Sequence, residues 1–121
     1  MTALAESLFQ RLQRGEEQVQ VLESVVAEAI FVLTSRNLYN LARSEVRDRL
    51  AFALTLTGVE MQNKARALHA LELYVEQRRL SFVDALIAVA AMEETPPEVY
   101  SFDQGFDRLD GVTRIEPSLA F

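Results

Sequence analysis

The sequence predicts an α/β fold, with helices flanking a mostly parallel sheet. Two observations carry that expectation. Stretches with apolar residues at helical spacing alternate along the chain with short apolar runs bounded by Gly, Pro and Asp. The resulting order, α, β, α, α, β, α, α, β, β, separates most successive strands by helices, which is the kind of connection that parallel strands need. At 121 residues, 50% of them apolar, the chain is expected to form one domain over 1–121 with a substantial core.

Leu4, Leu8 and Leu12 recur at helical spacing, so residues 2–14 read as the first helix, ended by Gly15 and the acids after it. "VQVLES", Val19 to Ser24, alternates and reads as a short strand. The Ser24 hydroxyl is then expected to cap a second helix running through "VVAEAIFVLTSRN". "SEVRDRLAFALTL" is a third amphipathic helix, and it leads through Gly58 into a strand in "GVEMQ". "KARALHALELYVEQRR" is a fourth helix. A fifth starts at Ser81 and is stopped by Pro96-Pro97. "EVYSF" and "VTRIE" are the last two strands, with a turn at Asp110-Gly111 between them.

Composition excludes several functions. The chain has no cysteine, so it holds neither a disulfide framework nor a thiolate metal site. Its formal charge of −6 argues against a DNA-binding regulator that works through a large basic patch. It does not exclude a metal-dependent nuclease, whose chemistry calls for clustered acids. No apolar run reaches the roughly 18 residues of a membrane span, and the start "MTALAESLFQRLQRGEE" lacks the basic and apolar regions of a signal peptide. The expected compartment is the cytoplasm, without membrane attachment.

Three acids stand in apolar company. In "SFVDALIAVAAM", Asp84 shares a helix face with Leu80, Ile87, Ala88 and Ala91. A buried, unpaired carboxylate costs several kcal/mol, so something is expected to hold it. Ser81-x-x-Asp84 has the spacing of a capping box, and a functional carboxylate is the alternative. Glu28 lies in "VVAEAIFVL" on a face with Val25, Ala29 and Val32; a helix-edge residue or ion-pair partner is its plainer reading. Asp103 follows the strand "EVYSF" directly, where open α/β sheets gather ligand-binding groups, although a turn-forming Asp would stand there too. Asp107, a turn later in "DQGFDRL", is a weaker member of the set. Together these acids suit a hard divalent cation, Mg²⁺ or Mn²⁺, which positions water for attack on a phosphodiester.

"VVAEAIFVL", "SFVDALIAVAA" and "VYSFDQGFDRLDGV" resemble, in that order and spacing, the PIN domain family, and in particular the small bacterial VapC-type toxins. The likeness covers essentially the whole chain. It implies a three-layer α/β/α sandwich with a mostly parallel sheet and an endoribonuclease that depends on Mg²⁺ or Mn²⁺. It also implies a small antitoxin as partner. Carried over by position, Glu28 matches the acid of the helix after the second strand, Asp84 the acid of F-x-D, and Asp103 the acid at the strand end. Ser101 matches the hydroxyl that orients the carboxylates or water. Asp107, which lies outside the matched motif positions, is kept as a weaker candidate metal ligand.

The sequence departs from the family at its start. The family's first central strand, with its L-D-T-N signature, has no counterpart before "MTALAESLFQ". The expectation is a site short of one acid, with weak or no activity, and an open strand position that favours a homodimer or a rearranged sheet. A start codon placed too late and a genuinely degenerate domain both account for this. The alternative function is a non-catalytic interaction or dimerisation module.

The remaining polar residues have plain readings. His69 is expected at a helix surface, and Tyr39, Tyr74 and Tyr100 as packing residues. Arg43, Arg47 and Arg49 alternate with Glu45 and Asp48 as a solvated face. Arg78-Arg79 reads as a solvated helix end whose charge complements the dipole, with contact to RNA phosphates or an antitoxin as the alternative.

Overall fold

The computed structural model describes residues 3–118. Its elements follow the expected order: α1 (Ala3–Arg14), β1 (Val19–Gln20), α2 (Glu23–Thr34), α3 (Arg43–Leu54), β2 (Val59–Glu60), α4 (Lys64–Glu76), α5 (Phe82–Met92), β3 (Glu98–Tyr100), a 3-10 helix (Gln104–Arg108) and β4 (Thr113–Ile115). The chain divides into two compact units, one ending at Leu68 and one starting at His69.

In the first unit, α1 ends where the periodicity does. Gly15 takes the left-handed conformation, φ 73°, which a residue without Cβ adopts at no steric cost. β1 and β2 pair in parallel, Val19 against Val59 and Gln20 against Glu60. The Gln20 amide reinforces the register by donating to the Glu60 carboxylate at 2.7 Å. Gly58 makes the close approach that lets them meet. Its N–H donates to the Leu12 carbonyl at 2.7 Å and its carbonyl accepts from Val19 N–H at 2.8 Å. A Cβ at this position would lie 1.9 Å from the Glu17 carbonyl oxygen. Leu12, Val26, Ile30, Val46, Leu54 and Val59 are buried. α2 packs on α3 and α3 on β2, and Phe9 of α1 stacks on Phe52 of α3 with ring centroids 5.7 Å apart.

In the second unit, β3 and β4 also pair in parallel, with Val99 against Arg114 at the centre. The connection is only residues 101–112, near the shortest that can return a strand parallel to its predecessor. The 3-10 helix and the turn at Gly111 (φ 85°) accomplish the return. α5 packs beside β3, and the 3-10 helix beside β4. Phe82, Ala85, Ala88 and Val89 of α5, Val99 of β3, and Phe106 are buried.

Several local expectations are corrected. The second helix begins at Glu23, with Leu22 at its cap position and no side-chain cap. Ser24 therefore lies inside the first turn, and Glu23 places its charge at the positive end of the helix dipole instead. The first strand stops at Gln20, short of Ser24. α4 ends at Glu76, because Leu80 N–H donates to the Gln77 carbonyl at 2.9 Å and closes a turn with Arg78 and Arg79 at its corners. Tyr39 and Tyr100 are 64% and 70% exposed rather than packed. Tyr100 alternates outward on β3, whereas Tyr74 is buried edge-on against Phe82. His69 is exposed on α4. Glu45 and Arg49 pair at 3.0 Å on the solvated face of α3. Among the described residues no helix is long and apolar enough to cross a membrane.

Candidate functional site

Asp84 lies in the first turn of α5, and that turn is built by Ser81. The serine has extended backbone (φ −71°, ψ 163°), and its Oγ accepts a hydrogen bond from the Asp84 N–H at 3.1 Å. The serine half of the capping box is therefore real. The Asp84 carboxyl is half-buried and stands against the side chain of Asp103. Burial is the main cause that pushes its pKa above the ordinary carboxylate value; a hydrogen bond with the Ser81 side chain opposes this, and the neighbouring Asp103 adds to it.

Asp103 is set by the end of β3. Its N–H donates to Ser101 Oγ at 3.0 Å, and its Oδ1 accepts from Gly105 N–H at 2.8 Å, capping the 3-10 helix. Asp103 thus forms the local turn expected of a strand-end Asp and also faces Asp84. Ser101 anchors it twice, through that hydroxyl and through its own N–H, which donates to Ile115 O at 3.0 Å on β4.

Asp107 points elsewhere. Arg114 grips both of its oxygens, Nε to Oδ1 at 2.8 Å and Nη2 to Oδ2 at 3.2 Å. The guanidinium also donates to the Ser101 carbonyl at 3.1 Å. This charge-assisted pair holds the Asp107 carboxyl below its usual pKa, and a carboxylate so engaged is a poor ligand for a cation. Sequence patterns do not single out Arg114. The only signal is its central place in the strand "VTRIE", where a cation has to find a partner. Here it braces the loop that carries Ser101 and Asp103.

Glu28 lies exposed on α2 in the first unit, lining a groove with Val25, Ala29, Val32, Leu33 and Tyr39. That is the helix face its spacing predicts. Among the described residues, no three His, Cys, Asp or Glu side chains come together as a group that could hold a metal ion. The acids that do meet are Asp84 and Asp103. Two converging carboxylates, neither of them in a salt bridge among the described residues, fit Mg²⁺ by donor chemistry, since that ion is commonly held by one or two carboxylates and keeps several waters.

The model of the PIN domain family matches residues 3–112, and so runs through both units. The chain belongs to the PIN domain family. Members of this family are generally nucleases that depend on divalent metals. No curated protein and no solved structure matches the chain. Within this PIN domain the acid pair lies on the two segments that carry the "SFVDALIA" and "YSFDQGF" motifs.

Proposed function

We propose that this PIN domain is an endoribonuclease of the VapC toxin type, hydrolysing RNA phosphodiesters with Mg²⁺ or Mn²⁺ in the cytoplasm. The observation that supports this reading is the contact between Asp84 and Asp103 in a domain whose family cuts nucleic acid. Asp84 and Asp103 are the residues that would hold the cation. A bound Mg²⁺ or Mn²⁺ supplies Lewis acidity toward a phosphoryl oxygen and a water of lowered pKa. The chain's own residues orient the site. Gly105 N–H and Ser101 Oγ aim Asp103, Ser81 holds the turn that presents Asp84, and Arg114, paired with Asp107 and donating to the Ser101 carbonyl, stiffens the loop. Glu28 enters this reading on the family pattern alone. Activity is expected to be low, because fewer carboxylate ligands hold a divalent cation less tightly.

The test is cleavage of a mixed-sequence single-stranded RNA in Mn²⁺. Asp84→Asn and Asp103→Asn are each expected to slow cutting by about a hundredfold or more, the scale on which such groups act. A parent that does not cut, or variants that cut as fast as the parent, would reject the nuclease reading.

A second reading rests on a different observation. The groove of about 460 Å³ on α2 is bordered by Val25, Val32, Leu33 and Tyr39, and Phe31 and Leu38 near it are 73% and 60% exposed. Exposed apolar surface of this kind marks interaction sites. It suits a non-catalytic interaction module, with the apolar face of a second copy or of a small antitoxin helix as occupant. Light scattering distinguishes the homodimer: a chain that stays monomeric at micromolar concentration counts against it.

A further inference from the structure

An acidic nuclease has to hold a polyanion against its own charge, and the second unit contains a feature suited to that task. The turn after α4 and the start of the 3-10 helix enclose a pocket of about 260 Å³, lined by Arg78, Arg79, Leu80, Gly105 and Arg108 together with Glu76 and Gln77. The three arginines form no ion pair among the described residues. The turn closed by Leu80 N–H on Gln77 O puts Arg78 and Arg79 at its corners, outside α4. Both arginines are exposed just past the C-terminus of α4, so they keep the solvated position expected of them and stand in a turn rather than in the helix's last turn. The pocket is smaller than the roughly 300 Å³ at which small-molecule sites begin, so it suits a phosphate group and not a whole nucleotide.

Each wall of this pocket leads directly into one of the two acids. Leu80 is followed by Ser81, which caps the turn of Asp84. Gly105 donates to Asp103 Oδ1, and a Cβ there would lie 3.1 Å from that oxygen and 4.0 Å from Leu80 Cδ1. Tyr100 and Phe102, exposed beside Ser101, offer the aromatic faces on which unpaired bases stack.

We propose that Arg78, Arg79 and Arg108 form a subsite for a backbone phosphate of single-stranded nucleic acid, next to the phosphodiester addressed by Asp84 and Asp103. The inference rests on the nuclease reading and assigns that site its substrate clamp. Planar guanidinium groups suit phosphate oxygens because they donate in pairs. The arginines are binding and positioning residues and take no part in the chemical step.

The test is fluorescence anisotropy of a labelled mixed-sequence single-stranded RNA in EDTA, titrated from roughly 50 to 200 mM salt. Four proteins are compared with the parent. They are Arg78→Ala/Arg79→Ala/Arg108→Ala, the corresponding triple lysine variant, Arg14→Ala/Arg36→Ala as a control that removes two charges outside the pocket, and Asp84→Asn. The triple alanine variant is expected to bind at least tenfold more weakly, with a log–log salt slope shallower by about 0.7 for each phosphate it no longer neutralises. The lysine variant should stay within about fivefold of the parent and the charge control within about twofold, since point charges still bind phosphate and remote charge is largely screened. Unchanged affinity and slope in the triple alanine variant, equal weakening in the charge control, or no RNA binding by the parent would each overturn the subsite. Asp84→Asn separates the two claims. If it binds and cuts like the parent, the nuclease reading fails, while the arginine comparison still judges the subsite.

Discussion

At the scale of single residues, Asp84 combines two roles that local sequence presents as alternatives. Its backbone N–H is the partner of the Ser81 cap, and its carboxyl is the partner of Asp103. The two coexist because they use different atoms. The carboxyl's raised pKa has a stability consequence whose sign is fixed by linkage. Below the unfolded value near 3.9 both states are protonated and the native contacts are intact. As pH rises through the raised native value, the native state must release a proton it holds more tightly than the unfolded chain does, so stability falls. Asp84→Asn is therefore expected to match the parent near pH 3.5 and to be the more stable protein at pH 7 without metal. Urea denaturation at the two pH values checks this. A variant less stable than the parent at pH 7 would show that the charged carboxylate has a compensating partner.

At the scale of elements, the parallel pair β1–β2 depends on backbone proximity at one glycine. Gly58 sits where a Cβ would meet the Glu17 carbonyl oxygen at 1.9 Å, and that neighbour is backbone, which cannot rotate away. Gly58→Ala is expected to cost roughly 1–3 kcal/mol, the usual scale of overpacking, read as a drop in the urea midpoint at unchanged slope. Gly105→Ala provides the contrast. Its nearest neighbour is the Asp103 side chain at 3.1 Å, so its effect should fall on RNA cutting more than on stability.

At the scale of the whole molecule, the charge of −6 and the cation site proposed at the acid pair predict a stability that responds to divalent cations. A ligand that binds only the native state stabilises it by RT ln(1 + [L]/Kd). Millimolar Mn²⁺ is expected to raise the parent's thermal midpoint by a few degrees, the effect of about 1–2 kcal/mol on a domain of this size, and to leave Asp84→Asn unmoved. No shift in the parent would weigh toward the interaction module. An equal shift in both proteins would place the cation away from Asp84.

Local pattern was enough for the order of helices and strands, the end of α1 at Gly15, the cap at Ser81 and the PIN motifs around Asp84 and Asp103. Those features depend on periodicity and on interactions between residues within a few positions of each other, which a pattern records. It was less informative at element ends, where Leu22 replaced Ser24 at a cap and the Gln77–Leu80 turn cut short α4. There competing backbone hydrogen bonds of similar strength decide the outcome. Packing alone settles that Asp84 faces Asp103, that Asp107 belongs to Arg114, and that Arg78, Arg79 and Arg108 share one pocket. Most of these groups lie far apart in the chain. Their meeting depends on how α5 packs beside β3 and on how the short parallel return from β3 to β4 is folded, a geometry that no local pattern encodes.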